Sequence, residues 1–452
     1  MTQDALIVLD IGKTNAKLAL IDAEGRTLLE KRRPNVIVTS GPYPHHDTEG
    51  IWDWLLATCR DFGRQASVSA IVPVTHGATA ALVDADGLVL PVLDYEAPLD
   101  GVDYDSLRPE YTETLSPSLP AGLNLGRQLV WLARRYPAEF GRARHILMYP
   151  QYWAWRLCGV AAGEATSLGC HTDLWNPLTQ QYSALVDRMG WQSQLPAIVP
   201  PWTALGTLRP EIAAATGLPP TCEVLSGIHD SNASLMRYLD KDAAAAPRTV
   251  LSTGTWMIAA AFGAPLDRLR ENADMLANTS ALGQPVACMR FMGGREFGAL
   301  AGPNPQACTF DVIERLVVRG TLALPCFAET GGPFAGHAGR IEGEPPQDAQ
   351  ERYALATLYC VLMTDYCLDA LQAAGPLAVE GSFTANPHFG PLLAALRPQQ
   401  AVTYSDDASG TTCGGWMLRY RDAVPGKHGA GISARAPNGL FEYRQRWLAA
   451  LA

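Results

Sequence analysis

Five residues near the N-terminus, Asp10, Gly12, Lys13, Thr14 and Asn15, are of the types that hold a phosphate chain and its counter-ion. Glycine lets backbone approach a bulky anion, hydroxyl and amide groups donate to phosphate oxygens, and a carboxylate such as Asp10 can hold a divalent cation. They lie between two apolar runs, Leu6–Leu9 and Leu18–Ile21, and so close to both that the pattern predicts a hairpin with these residues at its tip. Taken alone, a solvated hairpin tip has the same composition. A second stretch, Thr249–Phe262, repeats the design: an apolar strand, a tip of Ser252, Thr253, Gly254 and Thr255, and another apolar strand. Two such tips far apart in the chain point to two related halves serving one phosphate chain.

A third chemical candidate is Val224–Leu235, where a strand runs through Gly227 into His229-Asp230 and Ser231-Asn232-Ala233 opens a helix. Asp before a helix is a common cap, and one carboxylate can both cap and react. Ser69–Val74 reads as a buried strand leading into Thr75-His76-Gly77, and strand ends of open α/β sheets are where ligands are usually met. Taken alone, His76 is as readily a core histidine bonded to a carbonyl.

These stretches resemble the FGGY-type carbohydrate kinases of the actin/hexokinase/Hsp70-like ATPase superfamily, most closely the L-rhamnulose kinase branch. D-I-G-K-T-N is similar to that family's phosphate-1 pattern D-x-G-T-T/S, with Lys13 intruding among the hydroxyls. S-T-G-T-W is similar to phosphate-2, and Gly227, Asp230 and Ala233 match G-x-x-D-x-x-A in register. The resemblance spans nearly the whole chain. It implies two actin-like, ribonuclease H-like α/β lobes, each a mixed sheet flanked by helices, meeting at a cleft: residues 1–240 on the sugar side and 241–452 on the nucleotide side. It implies ATP and Mg²⁺, with Asp10 holding the metal and Gly12, Lys13, Thr14, Asn15, Thr253, Gly254 and Thr255 cradling phosphates. Asp230 becomes the base that takes a proton from a terminal sugar hydroxyl. His76, Gly77, Asp94 and His229 line the sugar, while Gly381, Ser382 and Asn386 flank adenine. The family often has D-x-R where this chain has Asp94-Tyr95-Glu96, so Glu96 bears on specificity.

The elements that must position these groups are legible in outline. Asp47 or Thr48 caps a helix with Ile51, Leu55 and Cys59 on one face. Ala80–Val83 and Leu88–Leu93 read as a hairpin. Asn124 caps a helix stopped by Pro137, and Gln350–Ala374 is a long helix closed by Gly375. Asn386-Pro387 starts another helix. Asn278–Ser280 and Phe291–Glu296 read as loops of the second lobe, with Arg295–Glu296 as a surface pair. His45-His46 reads as a surface loop beside a pocket. Gly410, Gly414 and Gly415 fit either a hinge segment or close helix packing.

Composition limits the alternatives. With 452 residues, 48% apolar and 18% charged, the chain supports two to three full cores. A net charge of −10 argues against nucleic acid or polybasic membrane contact; the resemblance implies a sugar and ATP as partners, and a homodimer is compatible. Ten scattered cysteines without CxxC spacing fit reduced thiols, and the N-terminus lacks a leader pattern, which together predict a soluble, cytoplasmic protein. The expected activity is phosphorylation of a terminal hydroxyl of a small ketose, L-rhamnulose- or L-fuculose-like or a pentulose. The alternatives are a polyol kinase acting on a glycerol-like compound, a chaperone-type ATPase, for which no peptide-binding residues remain, and a catalytically silent sensor of sugar or nucleotide.

Overall fold

The computed structural model describes residues 4–239, 246–405, 410–421 and 429–451. The chain divides into two compact units. The first contains residues 1–240, 277–285 and 409–425, and the second residues 241–276, 286–408 and 426–452. The boundary expected at 240 lies outside the described residues. The second half is also not one continuous unit, because 277–285 and 409–425 belong with the first.

In the first unit, β1 (Asp4–Ile11) and β2 (Asn15–Asp22) form the expected hairpin, extended by β3 (Thr27–Pro34). Leu6 to Leu9 are fully buried, so the hairpin is anchored in the core and only its tip is left to face a ligand. On the other side of β1 lies β4 (Ser67–Thr75), parallel to it. The later strands β5 (Ala204–Thr207), β6 (Glu223–Leu225) and β7 (Ile228–His229) complete a seven-stranded sheet of order β5-β6-β4-β1-β2-β3, with β7 also on β4. Helix Thr48–Gly63 packs on this sheet, and Asp47 caps it by accepting from Gly50 N at 2.9 Å. Ala80–Val83 does not pair with Leu88–Leu93 as a hairpin ladder. It pairs antiparallel with His145–Met148, because all four of its residues are buried and need a partner strand in the core.

Asn124 sits at the cap position of helix Leu125–Arg135, but its side chain does not cap. Its Oδ1 accepts from Leu119 N and its Nδ2 donates to the carbonyls of Pro117 and His171, so it staples loops instead.

The second unit repeats the strand plan. Antiparallel β8 (Arg248–Thr253) and β9 (Met257–Phe262) are extended by β10 (Pro285–Phe291), while β11 (Leu377–Gly381) and β12 (Val402–Tyr404) lie parallel on the other side of β8. In both sheets the strand that enters the tip is flanked by its own hairpin partner and by a parallel strand. Phe291–Glu296 is strand end and helix rather than loop, and Asn278 and Thr279 lie in strand Met275–Thr279. Glu296 is fully buried, accepting from Phe327 N at 2.9 Å and from the Tyr359 hydroxyl, so no surface pair with Arg295 forms. The long helix runs Ala349–Ala370 and ends before Gly375, with Gln372 already in the left-handed region. Asn386 accepts from His388 N at 3.0 Å, and the helix it was expected to cap begins at Phe389 with His388 as its cap residue.

Candidate active site

The first hairpin tip is tightly braced. Gly12 N donates to Asn15 O at 2.9 Å, closing the turn. From below, Asn35 donates its Nδ2 to Gly12 O at 2.8 Å and its backbone N to Thr14 O at 2.8 Å. Thr14 and Asn15 remain exposed. Asp10, at the end of β1, accepts from the Thr411 hydroxyl at 2.6 Å and faces Lys17 Nζ at 3.2 Å. Thr411 belongs to helix Gly410–Arg419, which the glycines bring close. A Cβ at Gly414 would stand 1.9 Å from Ala233 O, and one at Gly415 would stand 2.8 Å from Val8 Cγ1. Close packing, not hinging, accounts for these glycines in the first unit.

Asp230 opens helix Asp230–Leu235 directly after β7; the cap position itself is His229, whose side chain makes no cap bond. Gly227, just before β7, takes φ +84° and presses on Pro73 O, where a Cβ would lie only 2.4 Å away, so this turn requires glycine. The Asp230 carboxylate accepts from Ser231 N at 2.6 Å and lies 3.2 Å from His229 Nε2. His229 Nδ1 is 3.3 Å from Asn232 Nδ2, and accepting there leaves Nε2 as the protonated nitrogen that donates to Asp230. Burial holds His229 down at about 4, so it is a neutral donor at pH 7. Burial, and then the nearby charge of Asp10, push Asp230 up to about 6, although 27% of its side chain remains open to solvent.

Behind this pair sits a polar support formed by Thr166 and Glu164. Thr166 Oγ1 receives His229 N at 3.1 Å and donates to Glu164 at 2.6 Å. Glu164 is 1% exposed, and burial pushes it up to about 7. Gly77 permits the close approach of His229, since a Cβ there would lie 2.7 Å from Nε2.

His76 follows β4 as expected and is buried, its Nδ1 bonded to Gly77 O at 3.0 Å. Its Nε2 has no partner among the described residues. His46 is likewise 1% exposed with neither ring nitrogen bonded, and its ring lies 5.0 Å from that of His76. The His45-His46 segment is therefore a short paired strand with a buried second histidine, not a surface loop. Unpaired buried imidazole nitrogens are costly unless a ligand or water satisfies them, and no local spacing in the sequence reveals that His46 meets His76. Asp94, 5% exposed, pairs with Lys13 Nζ, which also lies 3.3 Å from Glu96 and 4.4 Å above the Tyr95 ring.

In the second unit, Thr253 is buried; its hydroxyl donates to Glu380 O at 2.5 Å and accepts from Phe383 N at 3.0 Å, locking the tip to β11. Gly381, at φ +89°, closes against Thr253 O, and Ser382 Oγ reaches the same carbonyl at 3.4 Å. Gly254 has open space about it and Thr255 is exposed. Trp256, where the family pattern has a hydroxyl, packs on Gly331 with the Arg290 guanidinium 4.7 Å above its ring. Asn386 is 6% exposed and donates to Thr357 Oγ1 at 2.9 Å, a structural bond that ties its loop to the long helix.

Mg²⁺ usually keeps several waters and takes one or two carboxylates plus phosphate oxygens. Asp10, with Asp230 close enough to feel its charge, fits that demand. No cluster of three or more metal-ligating side chains occurs among the described residues, and no described helix is long and apolar enough to cross a membrane.

Comparison with known proteins bears on the fold and the family. Residues 112–236 match the N-terminal domain of the FGGY family of carbohydrate kinases, and residues 245–427 match the C-terminal domain of carbohydrate kinase FGGY. An L-fuculokinase of Salmonella typhi is 28% identical over 275 residues, covering 57% of this chain and 56% of that protein. The chain thus matches little more than half the length of that relative. The structure of a carbohydrate kinase from Novosphingobium aromaticivorans superposes with a TM-score of 0.93 at 36% identity, covering 100% of this chain and 99% of that one. A xylulose kinase from Lactobacillus acidophilus shares the fold at a TM-score of 0.78 and 15% identity, covering 99% and 97%. With two actin-like α/β domains and family matches across both, the chain belongs to the FGGY family of carbohydrate kinases.

Proposed function

We propose that the protein is an ATP-dependent kinase that phosphorylates a terminal hydroxyl of a small ketose. The observation that carries the reading is Asp230: a carboxylate pushed up to about 6, oriented by a neutral histidine and open to solvent on one side. A base of that strength is mostly ionised at pH 7 yet basic enough to accept a proton as the alcohol oxygen attacks. The activities of the relatives, L-fuculokinase and L-xylulose/3-keto-L-gulonate kinase among them, support a ketose as acceptor.

In the first unit, His46 and His76 supply the unpaired ring nitrogens and Asp94 the acceptor that a polyhydroxy compound would satisfy. The acceptor hydroxyl gives its proton to the Asp230 carboxylate, its oxygen bonds to the γ-phosphorus, and the bond to the β-phosphate oxygen breaks to leave ADP. His229 Nε2–H keeps the carboxylate turned so that one oxygen accepts that proton. Asp10 would hold Mg²⁺ through water, a charge that neutralises phosphate oxygens. Gly12, Thr14 and Asn15 offer phosphate-binding groups on the first tip; Thr253, Gly254, Thr255, Gly381 and Ser382 form the corresponding surface of the second unit, where the nucleotide would bind. A coupled ADP-release screen over ketoses, polyols and sugar acids tests the reading. Acceptor-dependent ADP release that is lost in Asp230→Asn is expected, and ATP turnover indifferent to every acceptor would refute it.

A further inference from the structure

Lys13 stands on a tip otherwise suited to phosphate, yet its ammonium is already engaged. It pairs with Asp94 and Glu96 and lies over Tyr95, three consecutive residues roughly eighty positions along the chain. The Lys13 side chain is 20% exposed and that of Asp94 only 7%, so this ion pair is largely withdrawn from water, whereas Glu96 at 66% closes it from the solvent side. A lysine whose charge is met by two carboxylates and a ring face has little left for a phosphate chain, and leaving to meet one would strand a buried Asp94. The charges around it sharpen the point. Lys17 is committed to Asp10, and Asp230 adds a further carboxylate, so four acidic groups surround two ammoniums and both ammoniums are paired. The histidines nearby are buried and held neutral. Relative to the D-x-G-T-T and D-x-R patterns, a cation stands at 13 in place of a hydroxyl and an acid at 96 in place of arginine.

We propose that Lys13 is a wall of the acceptor site that positions Asp94, and that the resulting surface, with no unpaired cation among the described residues, selects an uncharged polyhydroxy compound over a sugar acid. A bare carboxylate ligand would meet net negative charge with no ammonium to pair with, while hydroxyl groups find in Asp94 and the two unpaired imidazoles the acceptors and donors they need. The kinetic part of this inference rests on the kinase reading above; the binding part does not.

The test uses the full chain with three variants, Lys13→Thr, Glu96→Arg and the double variant, which moves the cation to position 96. Lys13→Thr should raise the acceptor KM by about tenfold or more, with ATP KM changed by less than about twofold. Glu96→Arg alone, which sets two cations side by side, should also weaken acceptor binding, and the double variant should recover most of the loss. The same order should appear without catalysis in the thermal shift given by neutral ketoses (L-rhamnulose, L-fuculose, L-xylulose), with D-gluconate giving none. A Lys13→Thr variant whose ATP KM rises while acceptor KM stays put would return Lys13 to the phosphates and overturn the proposal. So would a double variant no better than Lys13→Thr, or a wild-type protein that binds gluconate as well as the neutral compounds or binds none of them. If the neutral compounds bind in the expected order but no ADP is released, the kinase reading alone fails.

Discussion

Asp230→Asn should make the protein more stable while disabling it. A carboxyl whose native pKa is about 6, against 3.8 for the unperturbed group, binds its proton more tightly in the folded than in the unfolded state. Between about pH 4 and pH 6 the native state therefore holds the extra proton, so its stability falls as pH rises through that window. Above pH 6 the full cost is present, about 3 kcal/mol at 1.36 kcal/mol per pH unit. Asparagine keeps an oxygen to accept from Ser231 N and His229 Nε2 and removes the charge that burial and Asp10 oppose. Up to about 3 kcal/mol should then be gained at pH 8, roughly 5–10 °C in the melting of the first unit, shrinking to nothing near pH 4. Phosphoryl transfer should drop by about 10² to 10⁴. Paired melting curves of parent and variant from pH 4 to pH 8.5, with ADP release on the same samples, measure both. A variant no more stable than the parent at pH 8 refutes the claim that this carboxylate is held at a cost, and parental turnover refutes its role as base.

The pH profile of kcat/KM should fall below about pH 6 with unit slope, because the base is lost on protonation; a flat profile down to pH 5 contradicts this. Thr411→Val removes the 2.6 Å donation to Asp10 and should raise the Mg²⁺ concentration for half-maximal activity by about threefold to tenfold, with acceptor KM unchanged, as read from Mg²⁺ titrations. Gly414→Ala drives a methyl to 1.9 Å from Ala233 O and should cost about 1–3 kcal/mol by denaturant melts, since backbone on both sides has to move. Unchanged stability there would mean that the helix packs less closely than described.

Both hairpins, the strand into His76 and the turn through Gly227 were legible because each is written locally: apolar runs, a turn residue and a short polar tip. Partner choice was not. Ala80–Val83 takes His145–Met148 rather than its sequence neighbour, and no periodicity within four buried residues distinguishes the two. Asn124 and Asn386 looked like caps, yet their amides are spent on loop carbonyls and on Thr357, where an unpaired buried group would cost more than an exposed helix end. Lys13 read as a phosphate donor on its tip; its pairing with Asp94 depends on a fold that spans eighty-one residues. The Thr411 bond to Asp10 spans 401 and had no local signal at all.

The two carboxylates of the first unit differ in what surrounds them, and that difference supports the roles proposed for them. Asp10 has an ammonium at 3.2 Å and a hydroxyl donor at 2.6 Å, so its charge is compensated before any metal arrives. Asp230 has no lysine or arginine among the ion pairs of the described residues; its neighbours are a neutral imidazole, a backbone N–H and the charge of Asp10. A group so placed is held near the pH at which it can take a proton and release it again, the property the proposed base needs. Exchanging those surroundings, for instance by bringing a lysine against Asp230, would keep both carboxylates in place and still abolish the division of labour, since the would-be base would become too weak to accept the proton.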